Sequence, residues 1–177
     1  MKMHSQIPVS RKVAFSAILA ALSVVLLYIG SISVLDLSSV VICALLTMLV
    51  MVEAGEKYAW LTVLVTGILS LLLLPVKLPA VLYLFFGGIY PILKAHIEKT
   101  PYWLSWLFKI SMLDTMLLGA MALSRLVFTA EEPFFDFTGL VLLAGTVFFI
   151  VFDLALTACV TAYITRLRKR LGLKKLF

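Results

Sequence analysis

The chain has 177 residues, of which 63% are hydrophobic and 14% charged, with a mean hydropathy of +1.15 and a formal net charge of +6. Soluble domains are about 45–50% apolar and about 25% charged. This composition therefore excludes a disordered chain and a soluble enzyme with a polar surface. A membrane-crossing helix takes about 20 residues, so a single membrane domain over 1–177 accounts for the whole length.

Membrane β-strands alternate apolar and polar residues over about ten positions. Here the apolar runs are continuous and close to a full crossing in length, which predicts an all-α bundle of six transmembrane helices. The first span is expected over 13–32. It follows Arg11 and Lys12, but its run is longer than the 7–15 residues usual for a signal-peptide core, so a retained span is expected. The second is expected over 35–52, followed by a turn in which Gly55 is free to take a left-handed conformation. The third, 58–74, ends before Pro75. The fourth, 78–95, carries Pro79 in its first turn, where proline is tolerated, and Gly87, Gly88 and Pro91, which should loosen or kink it. The fifth, 102–128, is interrupted by Lys109 and Asp114, and the sixth covers 138–165.

Basic residues orient such a bundle, because lysine and arginine accumulate in cytoplasmic loops. With six spans both termini share one side. That side collects Lys2, Arg11, Lys12, Lys57, Lys94, Lys99, Arg166, Arg168, Lys169, Arg170, Lys174 and Lys175, twelve of the fifteen basic residues. Both termini are thus expected in the cytoplasm, with the protein in the cell (plasma) membrane. The positive charge reads as a topology signal and as contact with anionic lipid, not as a nucleic-acid site. Trp60, Trp103 and Trp106 fall at the same ends of their spans, where tryptophan anchors in the interface.

No catalytic constellation is present. The sequence lacks HExxH, GxSxG and the phosphate-binding GxxxxGK[ST]. The two cysteines, Cys43 and Cys159, lie in apolar runs and form no metal-ligand spacing. Neither an enzyme nor a cofactor or metal is expected. The chemistry-bearing residues are the intramembrane charges, which are costly and usually face a bundle interior or a cavity. Asp114 and Asp153 lie at similar depth, with Lys109 below Asp114. Five positions, about 140° around a helix, aim Lys109 poorly at Asp114, so Lys109–Asp153 across two helices is the easier pair. It reads either as a polar pocket or proton relay, or as a structural pair that fixes helix register. At the opposite mouth, Asp36 lies among serines, and Glu131 and Glu132 sit in a loop with Phe134 and Phe135. That loop either covers a bound ligand or is simply solvated. Ala17 and Ala21 form a small-xxx-small pair that lets another helix approach closely, inside the bundle or from a partner.

The basic pair Arg11–Lys12 followed by the alanine-rich span with Ala17 and Ala21, together with the size and topology of nearly the whole chain, resembles the S components of energy-coupling factor (ECF) transporters. These are six-helix substrate-binding membrane subunits with cytoplasmic termini. The resemblance implies capture of a small polar nutrient or vitamin from outside, with uptake driven by a coupling membrane subunit and ATPase subunits in other chains. It implies that Ala17 and Ala21 dock on the coupling subunit. It places the ligand in the outer half of the bundle, which points to Tyr83, Asp114, Asp36, Glu131 and Glu132. The connection between the first two spans is shorter than is common in that family, and no vitamin-specific residue pattern is present. Two other readings stay open. One is a self-sufficient proton- or ion-coupled transporter using Lys109, Asp114 and Asp153; the other is a non-transporting scaffold or assembly factor.

Overall fold

The computed structural model describes residues 8–33, 35–97 and 139–167, with Trp103, Phe108, Lys109, Ser111, Met112 and Thr115 between them. Among the described residues every element is helical: α1 (Val9–Ile32), α2 (Asp36–Glu53), α3 (Glu56–Leu73), α4 (Leu78–Ile97) and a last helix (Gly139–Ala162) that runs on into a π-helical turn, Tyr163–Leu167. Among the described residues five helices are long and apolar enough to cross a membrane, which is compatible with a multi-pass helical membrane protein. The observed bounds lie within a few residues of the expected ones. Of the fifth expected span, 102–128, the six described residues are helical. Asp114, Trp106, Glu131 and Glu132 lie outside the described residues.

On α3, and over much of α1, side chains divide between inside and outside by size more than by hydrophobicity. The buried face of α1 is Ser16, Ala20, Ser23, Val24, Leu27, Gly30 and Ser31, and that of α3 is Ala59, Thr62, Val63, Thr66, Gly67 and Ser70. Their outward faces carry Ile18, Leu22, Val25, Ile29, Leu61, Leu64, Ile68 and Leu72. In lipid there is little hydrophobic gain in bringing helices together, so small residues that permit close packing, and hydroxyls that bond across, hold the interface. Cys43 of α2 donates to the Ser23 carbonyl of α1 at 3.4 Å, and the Thr47 and Tyr83 hydroxyls meet at 3.2 Å between α2 and α4.

The turn after α2 takes the expected form, with Gly55 at φ 103°. α4 is not a regular helix. Residues Tyr83–Ile89 are π-helical, and the Tyr90 N–H reaches the Phe85 carbonyl five residues back. Pro91 explains the position of the widened turn. It has no N–H for the Gly87 carbonyl, and its ring crowds that carbonyl. In a regular α-helix Tyr83 and Tyr90, nearly two turns apart, would share a face. Across the π segment they serve different neighbours: Tyr83 packs with Leu27, Val40, Cys43 and Leu74, and Tyr90 with Ala44, Phe149, Phe152 and Leu156.

Three contacts gather at one end of the bundle. The Lys12 ammonium lies 5.9 Å from the Tyr58 ring centroid, His96 Nε2 is 3.5 Å from Glu56 Oε2, and the Tyr163 hydroxyl donates to Glu53 Oε1 at 3.1 Å. The beginnings of α1 and α3 and the ends of α2, α4 and the last helix therefore lie together.

Candidate functional site

The last helix places Phe149, Phe152, Asp153 and Leu156 at spacings of three and four residues, hence on one face, and all four are buried. This face meets α4, where Tyr90 and Lys94 are one turn apart and also share a face. The Tyr90 ring stands edge-on to Phe149, with centroids 4.8 Å apart, and tilted against Phe152 at 5.8 Å. These contacts fix Tyr90 so that its hydroxyl donates to Asp153 Oδ1 at 2.5 Å.

Two ammonium groups complete the arrangement. Lys94 donates to the same Oδ1 and, at 3.1 Å, to the Asp153 backbone carbonyl. Lys109 donates to Oδ2 at 2.7 Å. The Thr157 hydroxyl, one turn on, bonds the Asp153 carbonyl at 2.9 Å. A carboxylate in an apolar interior is stable only when paired and hydrogen-bonded, and Asp153 has both kinds of support on both oxygens. Such a junction can hold three segments in register. It can also hold charge inside the bundle, because two ammonium groups and a phenol hydroxyl meet at one acid.

The structure brings together Lys109 and Asp153, which the sequence pairs across two helices. It adds Lys94 and Tyr90, which the sequence reading does not assign to the site. Lys94 corrects that reading directly. It is counted there among the cytoplasmic loop cations, yet it is buried against Asp153. The signal was available: Lys94 falls inside the fourth expected span, 78–95, and a charge within a span marks a bundle-facing position.

The other proposed residues lie elsewhere. Tyr83 is fully buried in the α1–α2–α4 core with its hydroxyl engaged by Thr47. Asp36 opens α2, where a negative charge suits the helix N-terminus. Its backbone carbonyl accepts from Ser39, and its Oδ1 has no hydrogen-bond partner among the described residues. Ala17 and Ala21 are exposed on α1, as are Ala155, Ala158 and Ala162 on the last helix. Among the described residues no three His, Cys, Asp or Glu side chains are grouped to hold a metal.

Comparison with protein-family models, with curated proteins and with solved structures gives no match. The residues of the Asp153 junction and the outward alanines are therefore the whole basis for a functional reading.

Proposed function

We propose that the chain is the substrate-capture membrane subunit of an ECF-type importer for a small polar nutrient or vitamin. In this reading it is a six-span protein of the plasma membrane with both termini in the cytoplasm. The observation that carries it is the exposure of Ala17 and Ala21. Five of the other small residues of α1, Ser16, Ala20, Ser23, Gly30 and Ser31, are turned inward and spent on packing within the bundle. Ala17 and Ala21 are not, so their small size serves close approach by something outside it. The shared end of α4 and the last helix supports a sixth crossing. α4 and the last helix both end on the side of Glu56 and Glu53, so the last helix begins on the side opposite the end of α4.

Affinity purification in mild detergent, with mass spectrometry of proteins and small molecules, tests this reading. The expected result is a coupling membrane protein with ATPases and a retained metabolite. Ala17→Leu with Ala21→Leu should remove the partners and leave the bundle folded. Partners that stay bound to the double variant would refute the docking face.

The buried Asp153 junction favours a second reading, a self-sufficient proton- or ion-coupled carrier. It is the reading that survives if the chain purifies alone and drives uptake in proteoliposomes without an ATPase.

A further inference from the structure

Among the described residues, the buried serines and threonines satisfy their hydroxyls on their own helices, with two exceptions. Ser16, Ser23, Thr47 and Thr62 donate to the carbonyl four residues back, and Ser31 and Ser39 to the carbonyl three back. This local bond is the ordinary recourse of a hydroxyl within a helix. Thr66 and Ser70 of α3 do not make it. Thr66 reaches across to the Ala20 carbonyl of α1 at 3.5 Å. Ser70 is 0% exposed, and its Oγ has no hydrogen-bond partner among the described residues. From these two hydroxyls and that of Tyr83 we infer that the core between α1, α2, α3 and α4 holds a binding site for one water molecule, seated between Ser70, Thr66 and Tyr83. The inference rests on neither reading of function.

The packing of α3 brings the three groups together. Thr66, Ser70 and Leu74 follow at intervals of four, so they share one face of the helix. Leu74 packs in one cluster with Tyr83, Leu27, Val40 and Cys43, and the Thr66 hydroxyl lies within hydrogen-bonding reach of the Tyr83 hydroxyl. Ser70 is thus bracketed by two residues that both meet Tyr83. Thr66, Ser70 and Tyr83 are all fully buried.

The hydrogens at this point do not balance within the protein. Each hydroxyl has one hydrogen to give and two lone pairs to offer. Thr47 gives its hydrogen to the Cys43 carbonyl at 3.0 Å, so Tyr83 is the donor in its contact with Thr47. The Tyr83 oxygen is then left as an acceptor. Thr66 has one hydrogen for two takers, the Ala20 carbonyl and the Tyr83 oxygen. Ser70 has a hydrogen that no acceptor meets. A buried hydroxyl without a partner forfeits its hydration and gains nothing in return. A buried water makes about three hydrogen bonds, and one water closes this count: it accepts from Ser70 and donates to the oxygens of Tyr83 and Thr66. The three groups are neutral and enclosed, which suits a ligand of that size and charge.

X-ray radiolysis of the wild-type protein in detergent micelles, read by mass spectrometry, tests the site. Hydroxyl radicals form from a bound water where it sits and oxidise the side chain beside it, whether or not that side chain is exposed. Tyr83 is expected to be oxidised although it is fully buried, and Ser70→Ala is expected to lose that oxidation. An unoxidised Tyr83 in wild type, or equal oxidation in Ser70→Ala, would overturn the site. The melting temperature supplies an independent sign. Ser70→Ala should melt below wild type, because it removes one of the water's partners. A variant that melts at the same temperature or higher would show that the Ser70 hydroxyl bonds nothing, since deleting an unmet buried hydroxyl is neutral or stabilising.

Discussion

At the scale of single residues, Asp153 is the side chain on which most depends. Asp153→Asn keeps the shape but removes the charge facing two buried ammonium groups. Breaking a buried pair by removing one partner costs about 3–5 kcal/mol. Tyr90→Phe removes one hydrogen bond to a charged group, a loss of about 1.5–3 kcal/mol. Chemical denaturation in micelles, followed by tryptophan fluorescence, should therefore rank Asp153→Asn below Tyr90→Phe and both below wild type. An Asp153→Asn variant as stable as wild type would mean that the junction does not hold the bundle. The Lys109–Asp153 pairing was legible because both residues interrupt apolar runs and Lys109 is aimed poorly at Asp114, the acid on its own expected span. Tyr90 was not, because a tyrosine in a span carries no charge to flag it. Lys94 was masked by its place near the end of its span, where a basic residue ordinarily signals orientation.

At the scale of elements, glycines in α4 and in the α2–α3 turn fail in different ways when substituted. A Cβ on Gly87 would stand 2.6 Å from the Tyr83 ring and 3.2 Å from the Val40 carbonyl oxygen, so Gly87→Ala forces α4 away from α2. Such overpacking costs about 1–3 kcal/mol. A Cβ on Gly55 meets nothing within 4 Å, and its cost comes from the backbone alone, φ 103° with ψ 170°, about 1–3 kcal/mol. Thermal melts of the two variants should both fall. Only Gly87→Ala should also change the near-ultraviolet signal of Tyr83. An unchanged tyrosine signal in Gly87→Ala would argue that α2 and α4 are not in close contact there. The sequence pointed to an irregular α4 through Gly87, Gly88 and Pro91. It did not give the π form, which depends on where the Tyr90 N–H finds its acceptor. That choice is made by the helices packed around it.

At the scale of the whole molecule, hydropathy located the five long described helices, because runs of about 20 apolar residues have few other uses. It said little about which face of each span turns inward, since every face is apolar. Side-chain size divides α3 in this way, with hydroxyl and small residues inside and large aliphatic ones outside, whereas the last helix turns Phe149, Phe152 and Leu156 inward and leaves Ala155, Ala158 and Ala162 exposed. The proposed six-span topology has a direct check. In a background with Cys43 and Cys159 replaced by Ala, Glu131→Cys should react with an impermeant maleimide on intact cells. Lys174→Cys should react only after permeabilisation. Labelling of Lys174→Cys on intact cells would reverse the orientation and remove the importer reading with it.

The order of the junction along the chain has its own consequence for biosynthesis. Asp153 lies 59 residues after Lys94 and 44 after Lys109. At a synthesis rate of about 5–20 residues per second, the acid emerges roughly 2–12 s after the lysines. Both cationic segments are thus handed to the insertion machinery before the anion they share has been made. Insertion of the last helix closes the assembly, and a chain stalled short of it presents quality control with two lysines whose common acid has not yet arrived.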